Sequence, residues 1–228
     1  MTLRVLSAGA AKGLVGDLRA DFESRSGMDL DGSFSAVGAI RERFEAGEAC
    51  DVLILTARQL AELEAAGSVR GVRPIGTVRT AVAVPAGHPH PDVSTGPALA
   101  AAFRAASAVF LPDAFKSTAG IHIRSVIAAL GLAADMAPKL NMFPNGETAM
   151  RRLADQAPVG GLGTTQMTEI LYTRGLELVA PLPPEHDLST VYAVALNARA
   201  ANPDAASLMV QLLCDPPSLD LRRRSGFE

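Results

Sequence analysis

Short apolar runs alternate with stretches whose apolar residues recur every three or four positions, and the alternation starts at the first residues of the chain. Residues 3–7 (LRVLS) read as a core strand, and 11–25 as an amphipathic helix with Leu14, Leu18 and Phe22 on one face at i, i+4 and i+8. Residues 29–34 read as a second short strand, 37–46 as a helix, 51–55 (DVLIL) as an apolar strand and 57–66 as a helix stopped by Gly67. Three strand–helix units thus precede residue 70, the pattern of a parallel sheet with crossover helices.

Two longer strand signals follow, RTAVAVP at 79–85 and STVYAVALN at 189–197. Between them the alternation restarts: helices are expected at 98–105, 119–130, 147–154 and 166–172, and strands at 108–111, 140–143, 159–162 and 176–179. Helices at 203–213 and 218–224 close the chain. The expected fold class is α/β with two lobes, residues 1–82 with 193–228 in one and 83–192 in the other. The two long strands are expected to be hinges that cross between them.

Composition supports a folded core and narrows the partner. The chain has 228 residues, 48% of them hydrophobic and 20% charged. A formal net charge of -3 gives no electrostatic reason to expect nucleic acid or an anionic membrane surface as partner. No apolar run reaches the roughly 18 residues of a membrane span, so no membrane insertion is expected. Met1-Thr2 leads directly into the first strand. The sequence as given therefore reads as cytoplasmic, or as periplasmic if an export signal was trimmed. Cys50 and Cys214 fit no metal-ligand spacing and read as buried thiols. A small ligand and a monomer are the expectation.

The candidate chemistry sits at turns that follow strands. Ser7-Ala8-Gly9-Ala10-Ala11-Lys12-Gly13 opens a helix after a buried strand, so the backbone N–H groups of Gly9, Ala10 and Ala11 point where open α/β sheets bind anions. Phe34-Ser35-Ala36-Val37-Gly38 repeats the arrangement, with Ser35 as helix N-cap, ligand donor or both. In Lys116-Ser117-Thr118-Ala119-Gly120 one of Ser117 and Thr118 caps the next helix, and the other offers its hydroxyl to a ligand. Arg79 stands where a strand passes between lobes, as a cleft guanidinium or as a surface partner of a nearby acid. His88 and His90 lie in a Pro/Gly loop, as a solvated turn or a metal pair. Nothing forms a Ser-His-Asp set, a phosphate loop or a zinc cluster, so neither cofactor nor metal is expected. An enzyme with these means is limited to moving a proton. Lys12, Lys116 and His122 are the candidate bases by position, and no carboxylate in these turns offers itself.

LRVLSAGAAKGLVGDLRADF at 3–22, GSFSAVGAIRERF at 32–44, GEACDVLIL at 47–55, LPDAFKSTAGIHIRSVIAALGL at 111–132, STVYAVAL and SLDLRRRSGF succeed one another in an order that resembles the molybdate-binding component of bacterial ABC transporters. The resemblance spans most of the chain. It implies a type 2 periplasmic-binding-protein fold, two lobes closing on a ligand, and a transporter permease as partner. The molybdate binders supply a Ser hydroxyl from each of the first two turns and a Tyr after a late Gly-rich strand. Ala10, Val37 or Gly38, and Thr164 occupy those places here. Gly163-Thr164-Thr165-Gln166-Met167-Thr168-Glu169 and the pair Arg79-Thr80 are similar to the branch of the family that includes aconitate isomerase.

Loss of neutral hydroxyls and presence of an Arg suit a carboxylate, which guanidinium grips with two parallel hydrogen bonds. The resulting expectation is a binding protein for a small anion, an organic acid before molybdate. A cofactor-free isomerase of an unsaturated polycarboxylate is the alternative, and a true molybdate or tungstate binder the third.

Overall fold

The computed structural model describes residues 1–228, and chain contacts divide them into two compact units, Met1–Val78 with Thr190–Glu228 (unit 1) and Arg79–Ser189 (unit 2). In chain order the elements are β1 (Thr2–Ala8), α1 (Lys12–Ser26), β2 (Asp29–Ser35), α2 (Val37–Glu45), β3 (Val52–Thr56), α3 (Ala57–Ala65) and β4 (Val69–Pro85). They continue with α4 (Gly96–Ala105), β5 (Ala108–Pro112), α5 (Thr118–Ala129), α6 (Ala133–Met136), β6 (Leu140–Phe143), α7 (Gly146–Gln156), β7 (Gly161–Gln166) and α8 (Met167–Tyr172). The last are β8 (Leu176–Pro181), β9 (Ser189–Asn197), α9 (Pro203–Cys214) and α10 (Leu219–Arg224).

Unit 1 is built on β1, which pairs in parallel with β2 on one side and β3 on the other, while β9 lies antiparallel to β3. Periodicity explains the layer above it. Leu14, Val15, Leu18 and Phe22 of α1 are buried, and the helix packs against α9 through that face. Each such side chain removed from water contributes about 1.5–3 kcal/mol before the entropy of ordering it is deducted. Gly27 at φ 66° ends α1, because the left-handed conformation there suits a residue without Cβ.

In unit 2, β7 pairs in parallel with β5 and antiparallel with β4, β6 extends β5 in parallel, and β8 runs antiparallel to β4. One face of this sheet holds Val82, Val84, Leu99, Phe103, Leu111, Ile123, Ile127 and Leu162 in one apolar cluster. A smaller cluster gathers Ala81, Ala83, Ala149, Met150 and Ile170. The alternation along β4 places Val82 and Val84 in the first and Ala81 and Ala83 in the second.

Two segments differ from the reading of the sequence. β4 begins at Val69, ten residues before the strand expected at 79, since Gly71, Pro74 and Gly76 read as breakers in isolation. The strand tolerates them because pairing supplies what local propensity lacks: Thr77 exchanges two backbone hydrogen bonds with Glu228, each 2.8 Å. β7 spans 161–166 instead of 159–162. Val159 is 87% exposed and the chain turns at Gly160 (φ 73°), so the apolar Val159 belongs to the loop.

Candidate functional site

In unit 1 the turns that follow β1 and β2 are built from small residues. A 3-10 turn at Gly9–Ala11 leads into α1, and neither helix start has a side-chain cap. Ala10 and Ala11 are buried, and the Ser7 hydroxyl turns away to donate to the Ala8 carbonyl at 2.8 Å. After β2 the N-cap of α2 is Ala36, again without a side-chain bond. This corrects the expectation that Ser35 caps the helix: Ser35 is the last residue of β2, in register with Ala8. Both helix starts therefore lack a side-chain acceptor for the N–H groups of their first turns, and the helix dipole adds partial positive charge at the same place. Lys12 begins α1 with its Nζ 5.8 Å from the centre of the Phe34 ring.

Unit 2 arranges hydroxyls instead. Thr80 of β4 lies opposite Gln166, and Val82 opposite Thr164, so Thr80, Thr164 and Gln166 share one face at the C-terminal end of β7. Thr80 and Thr164 are fully buried, and neither hydroxyl has a hydrogen-bond partner; the hydroxyl of Thr168, 5% exposed, has none either. A buried hydroxyl left unmatched costs about 1–3 kcal/mol, so three near one strand end are unusual. Beside β7, β5 ends in a tight turn where Asp113 accepts from the backbone N–H of Phe115 at 2.7 Å and of Lys116 at 3.0 Å. Ser117 then caps α5 by accepting from Gly120 N–H at 3.5 Å, which leaves Thr118 as the partly exposed hydroxyl of the pair. Gly120 is obligatory: a Cβ there would stand 2.3 Å from the Asp113 carbonyl oxygen.

The remaining candidates have defined partners. Arg79 Nε donates to Asp187 at 2.9 Å and its terminal nitrogen to the Leu182 carbonyl at 3.4 Å, so this guanidinium is held inside unit 2 by an acid. His122 places Nε2 2.8 Å from the His186 carbonyl; that bond puts the proton on Nε2 and leaves Nδ1 as the basic nitrogen. His90 faces Glu177 at 2.9 Å. No group of three His, Cys, Asp or Glu side chains stands close enough to hold a metal ion, and no helix is long and apolar enough to cross a membrane.

Residues 3–228 match the family model for bacterial extracellular solute-binding proteins. The chain belongs to that family. Among relatives of this solute-binding protein, an aconitate isomerase from Pseudomonas sp is 26% identical over 235 residues, covering 100% of this chain and 87% of that protein. The periplasmic molybdate-binding protein of Azotobacter vinelandii superposes with a TM-score of 0.81 at 14% identity, over 99% of this chain and 98% of the other. The sulfate-binding protein SubI of Mycobacterium tuberculosis gives a TM-score of 0.71 at 15% identity, over 100% and 86%. The type 2 periplasmic-binding-protein fold expected from the sequence is thus the fold of this chain.

The solute-binding protein also contains the carboxylate that sequence reasoning missed. Glu169, in the first turn of α8, is 8% exposed, and the Thr165 hydroxyl donates to it at 2.5 Å. Backbone N–H groups of Gln166 and Glu147 also donate to it, so the side chain joins the end of β7 to the start of α7. Burial pushes its carboxyl up to about 7, with the nearby charge of Glu147 acting in the same direction and the hydrogen bonds opposing. Room for it exists only because residue 146 is glycine: a Cβ there would be 1.9 Å from Glu169 Oε2. Glu169 lies outside the turns at 7–13, 34–38 and 116–120, for which no carboxylate base was expected. A glutamate in a short helix reads as exposed unless the facing glycine is known to be its neighbour.

Proposed function

We propose that this solute-binding protein takes a small organic carboxylate, and that each unit offers donors suited to one: the uncapped turns at Gly9–Ala11 and Ala36 in unit 1, and Thr80, Thr164, Ser117 and Thr118 in unit 2. The observation that carries the reading is the pair of fully buried, unpartnered hydroxyls of Thr80 and Thr164. They are donors without acceptors at the end of a strand, and an anion supplies acceptors only. Ala10 and Val37 contribute no hydroxyl to a tetrahedral oxyanion, which favours carboxylate over molybdate. Arg79 enters as a charge partner only by exchanging Asp187 for ligand, which makes its role a matter for mutation. Delivery to a transporter permease is the matching partner role.

A thermal-shift panel of citrate, cis- and trans-aconitate, molybdate, tungstate and sulfate tests this directly. A ligand present at 100 times its dissociation constant should stabilise the fold by about 2.7 kcal/mol. Shifts with the oxyanions alone would overturn the carboxylate assignment.

The relationship to an aconitate isomerase favours a second reading, proton transfer on an unsaturated polycarboxylate without cofactor. In that chemistry one base removes a proton and returns it to another carbon. Lys12, Lys116, His122 and now Glu169 are the candidates for it. Formation of cis- from trans-aconitate by the purified protein, followed by NMR in deuterated water, supports this reading, and its absence in protein that binds aconitate removes it.

A further inference from the structure

Unit 1 has a second concave feature, at the edge of its sheet remote from the turns that follow β1 and β2. A pocket of about 540 Å³ opens where β1 and β3 begin and β9 ends, and Arg4, Cys50, Asp51, Ser68, Asn197 and Arg199 stand on its walls. Its floor is firmly tied. Asp51, 3% exposed, accepts from the backbone N–H of Arg4 at 3.0 Å and of Asn202 at 2.9 Å, and Asn197 Nδ2 donates to the Cys50 carbonyl at 2.8 Å.

The polar side chains around it divide into matched and unmatched groups. The two glutamates on the wall are neutralised from outside: Glu45 by Arg41 at 2.9 Å, and Glu48 by Arg43 at 2.6 Å. Burial pushes the Cys50 thiol up to about 11, so it brings no negative charge at neutral pH. The guanidinium groups of Arg4 and Arg199, by contrast, make no ion pair or hydrogen bond, and neither does the Ser68 hydroxyl. The side chains left unmatched are therefore two forked cations and one hydroxyl. The carboxylates on the pocket wall have partners; Asp31, the neighbour of Arg4 across the β1–β2 ladder, is exposed and lies outside the wall. The volume lies within the range of small-molecule pockets and exceeds what a single tetrahedral oxyanion fills.

We propose that this pocket is a second ligand site, confined to unit 1, for a small polyanion bearing two or more carboxylate or phosphate groups, with Arg4 and Arg199 as bidentate partners and Ser68 as hydroxyl donor. The site does not depend on the carboxylate reading of the strand-end turns, because it lies at the other end of β1.

Amide-resolved NMR titrations of the full chain at low salt test it, with citrate as the carboxylate probe and pyrophosphate as the phosphate probe. Saturable movement of the Ala49, Cys50, Ser68 and Arg199 amides with at least one probe is expected, and the probe that acts names the anionic group. The Arg4→Ala/Arg199→Ala variant should weaken that response at least tenfold while leaving any response at Gly9 and Ala10 unchanged. Should alanine disturb β1, Arg4→Gln/Arg199→Gln keeps the stems and removes the charge, with the same loss expected. No saturable movement at the pocket with either probe, or an equal response in a folded double variant, overturns the proposal. Movement at Gly9 and Ala10 alone does so as well, while supporting the strand-end site.

Discussion

In unit 1 the helices after β1 and β2 start at Lys12 and Val37 with no side-chain cap, whereas in unit 2 the starts of α4, α5 and α7 are capped by Thr95, Ser117 and Asn145. The first arrangement leaves backbone N–H groups for a ligand; the second uses side chains on its own backbone and keeps the free hydroxyls for strand residues. If these strand ends bind an anion as proposed, the first two turns would do so with backbone N–H groups and the end of β7 with buried hydroxyls. Individual glycines differ as well: a Cβ at Gly120 would meet a carbonyl and one at Gly146 would meet Glu169, whereas Gly16 of α1 has open space around it.

The largest effect should come from adding a Cβ at Gly120. Gly120→Ala is expected to destabilise the protein by about 3 kcal/mol, because the clash is with backbone that cannot rotate away. A chemical-denaturation midpoint unchanged from wild type would show that the β5–α5 turn is softer than the geometry requires.

Next is the protonation of Glu169. Its carboxyl titrates near 7 in the folded chain and near 4.5 when unfolded, so between those values the folded state holds a proton that the unfolded state has lost. Stability from this group is therefore fully present below about pH 4.5 and is lost as the pH rises toward 7, by at most about 1.4 kcal/mol per pH unit. Glu169→Gln, which cannot ionise, should flatten the slope of unfolding free energy against pH over that window. An identical slope in the variant would assign the pH dependence to other groups.

Thr164→Val separates ligand from fold. The hydroxyl has no partner, so its replacement by a methyl should leave the fold as stable or raise its stability by up to about 3 kcal/mol, while affinity for whichever carboxylate gives the largest thermal shift should fall about tenfold. Calorimetry showing unchanged affinity would remove Thr164 from the proposed donors. The smallest effect is expected at Gly16→Ala, where helix propensity gains about 0.5–1 kcal/mol with nothing to collide with. A loss of stability there, by chemical denaturation, would mean that α1 has less room at Gly16 than the geometry gives it.

Much of this molecule was legible from one chain of letters. The 3.6-residue spacing of Leu14, Leu18 and Phe22 and the apolar run of β3 fix helix and strand because burial of one face is a local property of sequence. The order of turns identified the family, and those same turns, with the pair Arg79-Thr80, supplied the candidate residues. What the letters could not carry was partnership across distance. That Arg79 is held by Asp187, 108 positions away, that Ser117 and not Thr118 is the cap, and that Gly146 makes room for Glu169 all depend on register and packing. Tertiary structure alone decides these, since a side chain's charge, exposure and freedom are set by the neighbours that folding brings to it.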